Sequence, residues 1–351
     1  ERMMASGLTP DKICYTVVID SCAKLGDARG ASKWFDTMVD VRLVPDEVSF
    51  NAMIGSHVRA GNFTVAAQVL SKMADACLTP TRVSYNMLIS GCADSGDTAS
   101  ATGWFDAMLG AGLSPDNISC NAVIHGWGKA GDTREATRWL GKMADFRLAP
   151  DEISFSSVIN SCAKCGDPAG AAQWLGRMAE FALQPDAICY TTVIHSFAKS
   201  FEARTAMHWL DVMTRSGLDA DVTTHTAVAN AYARAGDVPG VKGIFRRMYS
   251  VQVEPNVVTW TTLVAACANT RPKCYVDAEE AFRSMLKQSV SPTARFLHKL
   301  DLAVGGTRRA LLCQQLGIDD RQMRPMPGRA RTGRHRAPWT ANETEWRSDM
   351  L

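Results

Sequence analysis

The sequence lacks the features that define several common classes of protein. No apolar run approaches the about 20 residues that a membrane-spanning helix needs. Its only CxxC pair is Cys162 and Cys165, and no second pair lies at the spacing of a zinc site. The net charge over 351 residues is only +2. These absences exclude a helical membrane protein, a zinc module and a polyanion binder that acts through bulk charge.

What the sequence has instead is a tandem repeat with a period of 35 residues. Full units occupy 12–46, 47–81, 82–116, 117–151, 152–186, 187–221 and 222–256. An eighth unit, 257–293, has two extra residues near Pro272. Residues 1–11 match the end of a further unit, so the chain is expected to begin inside a second helix. Self-similarity at this period predicts a solenoid.

Each unit predicts two helices joined by a tight turn. In unit 117–151, apolar residues recur every three or four positions in two segments: Cys120, Val123, Ile124 and Trp127, then Ala136, Trp139, Leu140 and Met143. This spacing predicts two amphipathic helices. We expect Ser119 to cap the first helix, Gly131 to end it and Asp132 to cap the second. Stacked copies bury each other's apolar faces, which predicts an all-α solenoid.

The remainder of the chain departs from the repeat. Residues 294–317 predict one or two amphipathic capping helices, with apolar positions at Phe296, Leu297, Leu300, Leu311, Leu312 and Leu316. Residues 318–351 are rich in Arg, Pro and Gly and predict a disordered basic tail.

Several conspicuous columns are interpreted as packing rather than chemistry. The methionines of the second helix (Met143 in unit 117–151) and the tryptophans (Trp139) are expected in the core. Cysteines of one first-helix column lie a repeat or more apart, too far for disulfides. His125 and His195 are expected to line a groove. We therefore predict no metal, no cofactor and no catalytic residue.

A second face of the first helix carries four further columns, and the last position of the unit adds a fifth column outside this helix. Position two is apolar in all units but one, at Ile13, Val48, Val83, Ile118, Ile153, Ile188 and Val258. Position five is small and polar: Thr16, Asn51, Asn86, Asn121, Ser156, Thr191, Thr226 and Thr261. Position nine is mostly polar. Position thirteen is basic in six units: Lys24, Arg59, Lys129, Lys164, Lys199 and Arg234. The last position is Asp46, Thr81, Asp116, Asp151, Asp186, Asp221, Asn256 and Thr293.

Stacking turns these columns into a groove suited to single-stranded nucleic acid. Each repeat offers an apolar surface to sandwich a base, polar groups for its edge and a cation for the phosphate. The simpler interpretation is that the last residue merely caps the next helix. Serine or threonine three positions later, as at Ser49, is expected to hold that capping place and to leave the last residue free.

The unit resembles the pentatricopeptide repeat family. The resemblance rests on the Ser/Thr-Tyr-Asn/Thr opening, the Lys-Ala-Gly turn, the Ala-x-x-Trp-Phe/Leu-x-x-Met second helix and the Pro-Asp close, and it covers residues 1–293. Uniform unit length is typical of the pure P-type subclass. The resemblance implies a right-handed α-superhelix that binds single-stranded RNA in mitochondria or chloroplasts, one base per repeat, through the fifth and last residues.

The resemblance also implies a base code and a role. Asn with Asp favours U, Thr with Asp favours G and Thr with Asn favours A, so the array is expected to prefer 5′-GYUUGGA-3′. The leading hypothesis is a non-enzymatic binder acting in organellar RNA processing, stability, splicing or translation, with other organellar RNA-processing proteins as further partners and neither a membrane nor a small-molecule substrate. The alternatives are a protein-interaction scaffold or a subunit of an organellar ribonucleoprotein complex, or else a nuclease or editing factor whose catalytic part lies outside this chain.

Overall fold

Alternating helices make up almost all of the structure. A computed structural model describes residues 9–318, and within that range it contains eighteen α-helices and no strand. The helices of the first four units are α1 (Lys12–Lys24), α2 (Ala28–Asp40), α3 (Glu47–Arg59), α4 (Phe63–Asp75), α5 (Arg82–Ser95), α6 (Thr98–Gly110), α7 (Asn117–Ala130) and α8 (Thr133–Lys142). Those of the next four are α9 (Glu152–Lys164), α10 (Pro168–Met178), α11 (Ala187–Lys199), α12 (Ala203–Arg215), α13 (Val222–Arg234), α14 (Val238–Ser250), α15 (Val257–Asn269) and α16 (Tyr275–Lys287). Each unit thus contains one helix pair.

The helices pack in two layers. Odd-numbered helices contact one another in series from α1 to α17, which gives a continuous layer of first helices. Each even-numbered helix packs on the first helix of its own unit and on that of the next. Contacts therefore run mainly between neighbouring units, as in a solenoid. The predicted α-solenoid is confirmed.

The core between the layers repeats with the sequence. The second-helix methionines are almost completely buried in every unit, as predicted: Met38, Met73, Met108, Met143, Met178, Met213, Met248 and Met285. In four units the aromatic residue at position four packs on the tryptophan of the same unit, as in Tyr85–Trp104 and Phe155–Trp174. The methionine and tryptophan columns belong to the packing of the fold.

The turn between the two helices of a unit requires a left-handed backbone. Gly131 has φ +82°, a conformation that costs glycine little because it has no Cβ. Phe201, the exception in this column, adopts the same conformation with φ +65°. Asp132 then caps α8, its side chain accepting from the Glu135 amide at 3.0 Å. The predictions for Gly131 and Asp132 are confirmed.

Two more helices follow the eighth unit. They are α17 (Ala294–Val304), which packs on α15 and α16, and α18 (Gly306–Gln315), which packs on α17. Phe296, Leu297 and Leu300 are buried as expected, but Leu311 is 54% exposed because α18 packs through Leu312 and Cys313. The predicted disordered tail at 318–351 lies outside the described residues from position 319 onward, as do residues 1–8 of the predicted partial unit.

Candidate nucleic-acid interface

The apolar residues at position two form an exposed row on the layer of first helices. Each lies in the first turn of its helix, where its side chain has no core to enter. The exposed fractions run from 54% to 70% for Ile13, Val48, Val83, Ile118, Ile153, Ile188 and Val258. Because large apolar side chains seldom remain this exposed in a periodic row, the row is a candidate contact surface.

The polar residues at position five lie one helical turn further along, at the junction between units. Six of the eight form a hydrogen bond with the third residue of the following unit. The pairs are Thr16–Ser49 (2.9 Å), Asn51–Ser84 (2.7 Å), Asn86–Ser119 (2.7 Å), Asn121–Ser154 (2.6 Å), Thr191–Thr224 (3.3 Å) and Thr226–Thr259 (2.8 Å). The fifth residue is therefore held by the next repeat as well as by its own.

The two Asn–Asp pairs are joined directly. The amide nitrogen of Asn121 donates to Oδ1 of Asp151 at 2.9 Å, and that of Asn86 donates to Oδ1 of Asp116 at 3.1 Å. In both pairs the last residue of the unit accepts from the fifth residue of the same unit. The structure thus brings together the two positions to which the resemblance assigns base selection.

The last residue of every unit is also the N-cap of the next first helix, which corrects one expectation. The side chain of Asp151 accepts from the Ser154 amide at 2.9 Å, and Asp116 accepts from Ser119 in the same way. The serine was expected to be the cap, but it is the third residue of the helix and its hydroxyl accepts from the Asp151 amide, completing a capping box. The prediction failed because both residue types favour caps and lie three positions apart.

Capping and ion pairing keep these carboxylates charged. Partial burial opposes ionisation of Asp46, but hydrogen bonds from Lys12 and Ser49 outweigh it and lower its pKa to about 2. For Asp116 and Asp151, burial again acts in the opposite direction, and hydrogen bonds from the following serine and the preceding asparagine lower the pKa. At neutral pH these residues are therefore hydrogen-bond acceptors only.

From the lowered pKa values of these carboxylates we expect the folded protein to lose stability in acid over a defined pH range. An aspartate whose folded-state pKa lies below its ordinary value of about 3.9 stabilises the fold fully at pH values above about 3.9. This contribution is lost as the pH falls towards the folded-state pKa. For Asp46 the window therefore runs from about 4 down to about 2. Asp46→Asn is the matched control because Asn256 fills the same capping position naturally. Melting followed by circular dichroism should show wild type more stable at pH 7 and the two proteins converging below pH about 4. Curves that stay parallel would contradict the assignment.

A cleft with a volume of about 640 Å³ lies between Val83 and Ile118, the position-two residues of the third and fourth units. Asn86 and Asp116 also line it, together with Thr81 from the preceding unit. Two apolar side chains and one amide–carboxylate pair, together with two charged side chains, therefore line an open space large enough for a planar ring.

Two units lack the contact with the following repeat. Ser156 donates to the carbonyl of Ile153 within its own helix at 3.1 Å, and Thr261 donates to that of Val257 at 2.6 Å. The third residues of the following units are Cys189 and Phe296 rather than serine or threonine. The polar columns are therefore not equivalent from end to end.

The basic residues at position thirteen lie on the exposed last turn of each first helix. Lys24 pairs with Asp20 at 2.7 Å, and the guanidinium of Arg234 lies 4.9 Å from the centre of the Phe201 ring. Lys129 donates to the backbone carbonyl of Asp94, the residue that interrupts this column. Arg59, Lys164 and Lys199 are exposed. The column thus supplies positive charge along the first-helix layer, weakened locally at Asp94.

The histidine, cysteine and acidic side chains of the described residues do not form a metal-binding cluster. Among residues 9–318 there is no group of three His, Cys, Asp or Glu side chains that could hold a metal ion. Nε2 of His125 lies 3.6 Å from a carboxylate oxygen of Asp94, and all eleven cysteines are free thiols. Burial raises the pKa of Cys162 to about 11, so it remains a neutral thiol. Within the same range, none of the helices has the length and apolar character needed to cross a bilayer.

Sequence comparisons match this architecture along most of the chain. The PPR repeat family matches residues 45–94 and 115–164, the pentatricopeptide repeat domain matches 1–60, 208–270 and 243–295, and the PPR repeat matches 83–113, 153–182 and 188–218. No curated protein sequence matches the chain.

Structural comparison gives the same fold. The crystal structure of the pentatricopeptide repeat protein PPR10 from maize aligns with a TM-score of 0.60 at 21% identity, covering 91% of this chain and 50% of that chain. PPR10 in complex with an 18-nt psaJ RNA element gives 0.49 at 19% identity, covering 86% and 47%. Nuclear proteinaceous RNase P 2 from A. thaliana gives 0.44 at 12%, covering 54% and 42%. Only the first of these supports the fold assignment, and this chain spans about half the length of the maize protein.

The fold and the repeated interface define an α-solenoid built of 35-residue helical hairpins. The chain belongs to the pentatricopeptide repeat family, whose repeat models together match most of residues 1–295.

Proposed function

We propose that the protein binds single-stranded RNA sequence-selectively, with one base per repeat. The observation that carries this proposal is the cleft between Val83 and Ile118, which has Asn86 and Asp116 along its wall. Apolar side chains on both sides suit the faces of a base, whereas an amide and a carboxylate suit its edge. The solved complex of PPR10 with an RNA element is consistent with this proposal.

The base code that the family resemblance implies, carried over to these residue pairs, proposes a base for each unit. With the array parallel to the RNA, Thr16/Asp46 selects G, Asn51/Thr81 a pyrimidine, and both Asn86/Asp116 and Asn121/Asp151 select U. The remaining pairs extend this core: Ser156/Asp186 selects G weakly, Thr191/Asp221 selects G, Thr226/Asn256 selects A, and Thr261/Thr293 is undefined. The proposed core is 5′-GYUUGGA-3′. We propose that these units form a P-type array that binds this core.

The proposed mechanism is occupancy rather than catalysis. A bound array covers its RNA segment, which blocks nucleases and prevents the segment from refolding. We place this activity in organellar RNA processing, stability, splicing or translation. Crosslinking in cells followed by sequencing of the bound RNA tests the proposal, and an enriched site containing the core is expected. Recovery of proteins with no enriched RNA site would favour an interaction scaffold instead.

Salt dependence tests the role of the basic column. If each of the six basic residues neutralises one phosphate, log affinity should fall against log salt with a slope of about −4, using about −0.7 per contact for single strands. Replacing Lys129 and Lys164 with Glu should weaken binding to all sequences alike and reduce the slope to about −3. Fluorescence anisotropy with labelled RNA at several salt concentrations measures both quantities.

Lys33→Glu with Lys72→Glu is the matched control for this experiment. Both lysines are exposed but lie on the second helices α2 and α4, away from the position-thirteen column. The control carries the same change in net charge and should leave most of the affinity and the slope intact. Equal losses in the two double variants would show that bulk charge, rather than this column, attracts the RNA.

A further inference from the structure

In six units the third residue is a serine or threonine that forms no part of the base-contacting columns. It is nearly inaccessible to solvent, yet its hydroxyl contacts both candidate base-selecting residues of the preceding unit. Ser154 is fully buried, and its Oγ lies 2.6 Å from Oδ1 of Asn121 and 2.9 Å from Oδ1 of Asp151. A group so placed can control how Asn121 is presented without touching a base.

At Asn121 this control concerns the orientation of the amide. Ser154 gives Oδ1 of Asn121 a donor, while Asp151 gives the amide nitrogen an acceptor. Rotating the amide by half a turn would place two acceptors, Oδ1 of Asn121 and the carboxylate of Asp151, against each other. One orientation is therefore fixed. It leaves the second N–H of Asn121 available as a donor, which suits a carbonyl oxygen of a pyrimidine.

At Thr191 the same position has the opposite effect. Oγ1 of Thr224 lies 2.6 Å from the carboxylate of Asp221, which is its nearest acceptor, and donates to it. The oxygen of Thr224, 3.3 Å from Oγ1 of Thr191, is then left to accept the Thr191 proton. Thr191 consequently presents its lone pairs, which suit the N–H groups of guanine.

We propose that the third residue of the following repeat is a positioning residue that sets which hydrogen-bonding group the fifth residue presents to its base. The inference rests on the proposed RNA binding and deepens it. It also distinguishes the units: where the third residue is Cys189 or Phe296, Ser156 and Thr261 lack the contact with the following repeat and bond only to their own helix. Selectivity should accordingly be sharp at Asn86 and Asn121 and weak at Ser156.

Selection from a random RNA pool tests the inference with the full chain. In Ser154→Ala, Asn121 keeps Asp151 but loses the donor to its Oδ1, so the preference for U at the fourth base should fall about three- to tenfold. Ser154→Thr should restore it, because threonine fills this column at Thr224 and Thr259. A purely structural loss would weaken binding to every RNA and leave the base ratios unchanged.

Ser119→Ala provides a control of register. Ser119 belongs to the same unit as Asn121, but its hydroxyl contacts Asn86 of the preceding unit. The substitution should therefore relax the third base and leave the fourth unchanged. Cys189→Ser makes the reverse change. It introduces serine, the commonest third residue, and so places a hydroxyl beside Ser156. Selectivity at the fifth base should rise about threefold.

The outcomes separate the inference from the function on which it rests. If wild type selects U at the fourth base and Ser154→Ala keeps the full preference, the positioning role is wrong and RNA binding stands. If wild type selects no base there, the proposed function is wrong and the inference with it. If Ser154→Ala does not fold, Cys189→Ser decides, and unchanged selectivity at the fifth base overturns the inference.

Discussion

Replacing Asn121 with Thr while keeping Asp151 is expected to change the preferred fourth base from U to G. The change removes the amide donor and substitutes a hydroxyl, as in the Thr16/Asp46 and Thr191/Asp221 units. A wrong base should then cost on the order of 1–3 kcal/mol, as for other base-selecting contacts. Selection from a random RNA pool, followed by affinity measurements on the two single-base variants, measures the exchange.

The structure indicates that this variant will fold. Thr16 lies opposite Ser49 at 2.9 Å, so threonine and serine are already neighbours at the equivalent junction. Asparagine and threonine also have similar helix propensity. Asn86→Thr is the matched control and should change the third base only. A folded Asn121→Thr protein that still selects U would show that the Asn121/Asp151 pair does not contact a base.

Replacing Phe105 with Ala is expected to cause the largest loss of stability. Phe105 is fully buried, and its ring meets those of Trp139 at 4.9 Å and Phe146 at 5.6 Å, both edge-on. It thereby joins the third unit to the fourth. Truncating a buried phenylalanine typically costs about 3–5 kcal/mol because the cavity closes only partly. Denaturant unfolding followed by circular dichroism measures this loss.

The effect should also be local, because units of a solenoid contact only their neighbours. Hydrogen exchange should accelerate in α5 to α8 and change little in α13 to α16. Phe201→Ala is the matched control: Phe201 is 63% exposed and the variant keeps the left-handed backbone, so only the contact with Arg234 is lost, at a cost of at most about 1 kcal/mol. Uniform acceleration along the chain would show that the array unfolds as a single unit.

The features that the sequence predicted correctly are those that depend on residues close together in the chain. The period, the helix pairs and the turn at Gly131 follow from spacing and from residues with strong backbone preferences. The assignment of caps failed because Asp116 and Ser119 are both good capping residues, and only the position of the first helical turn distinguishes them. The repeat therefore identified two columns of capping residues without showing which of the two lies at the start of the helix.

The hydrogen bonds between neighbouring units could not be predicted from the sequence for a different reason. Asn121 and Ser154 are 33 residues apart, and nothing in either local segment indicates that they form a hydrogen bond. Their contact depends on how far α9 is shifted along α7, which is determined by the packing of many side chains. The pairing of Lys129 with the backbone of Asp94 depends on the same offset.

The last residue of each unit is both the N-cap of the next helix and a proposed base contact, and this limits which substitutions can persist at that position. Because this residue starts the next helix, a substitution there that cannot cap costs about 0.5–2 kcal/mol whatever it does to RNA binding. The eight units use only aspartate, asparagine and threonine at this position, all of which cap well. Exchanges among these three residue types can therefore alter the preferred base at little cost in stability. Other residue types at this position would destabilise the fold and would be removed by selection.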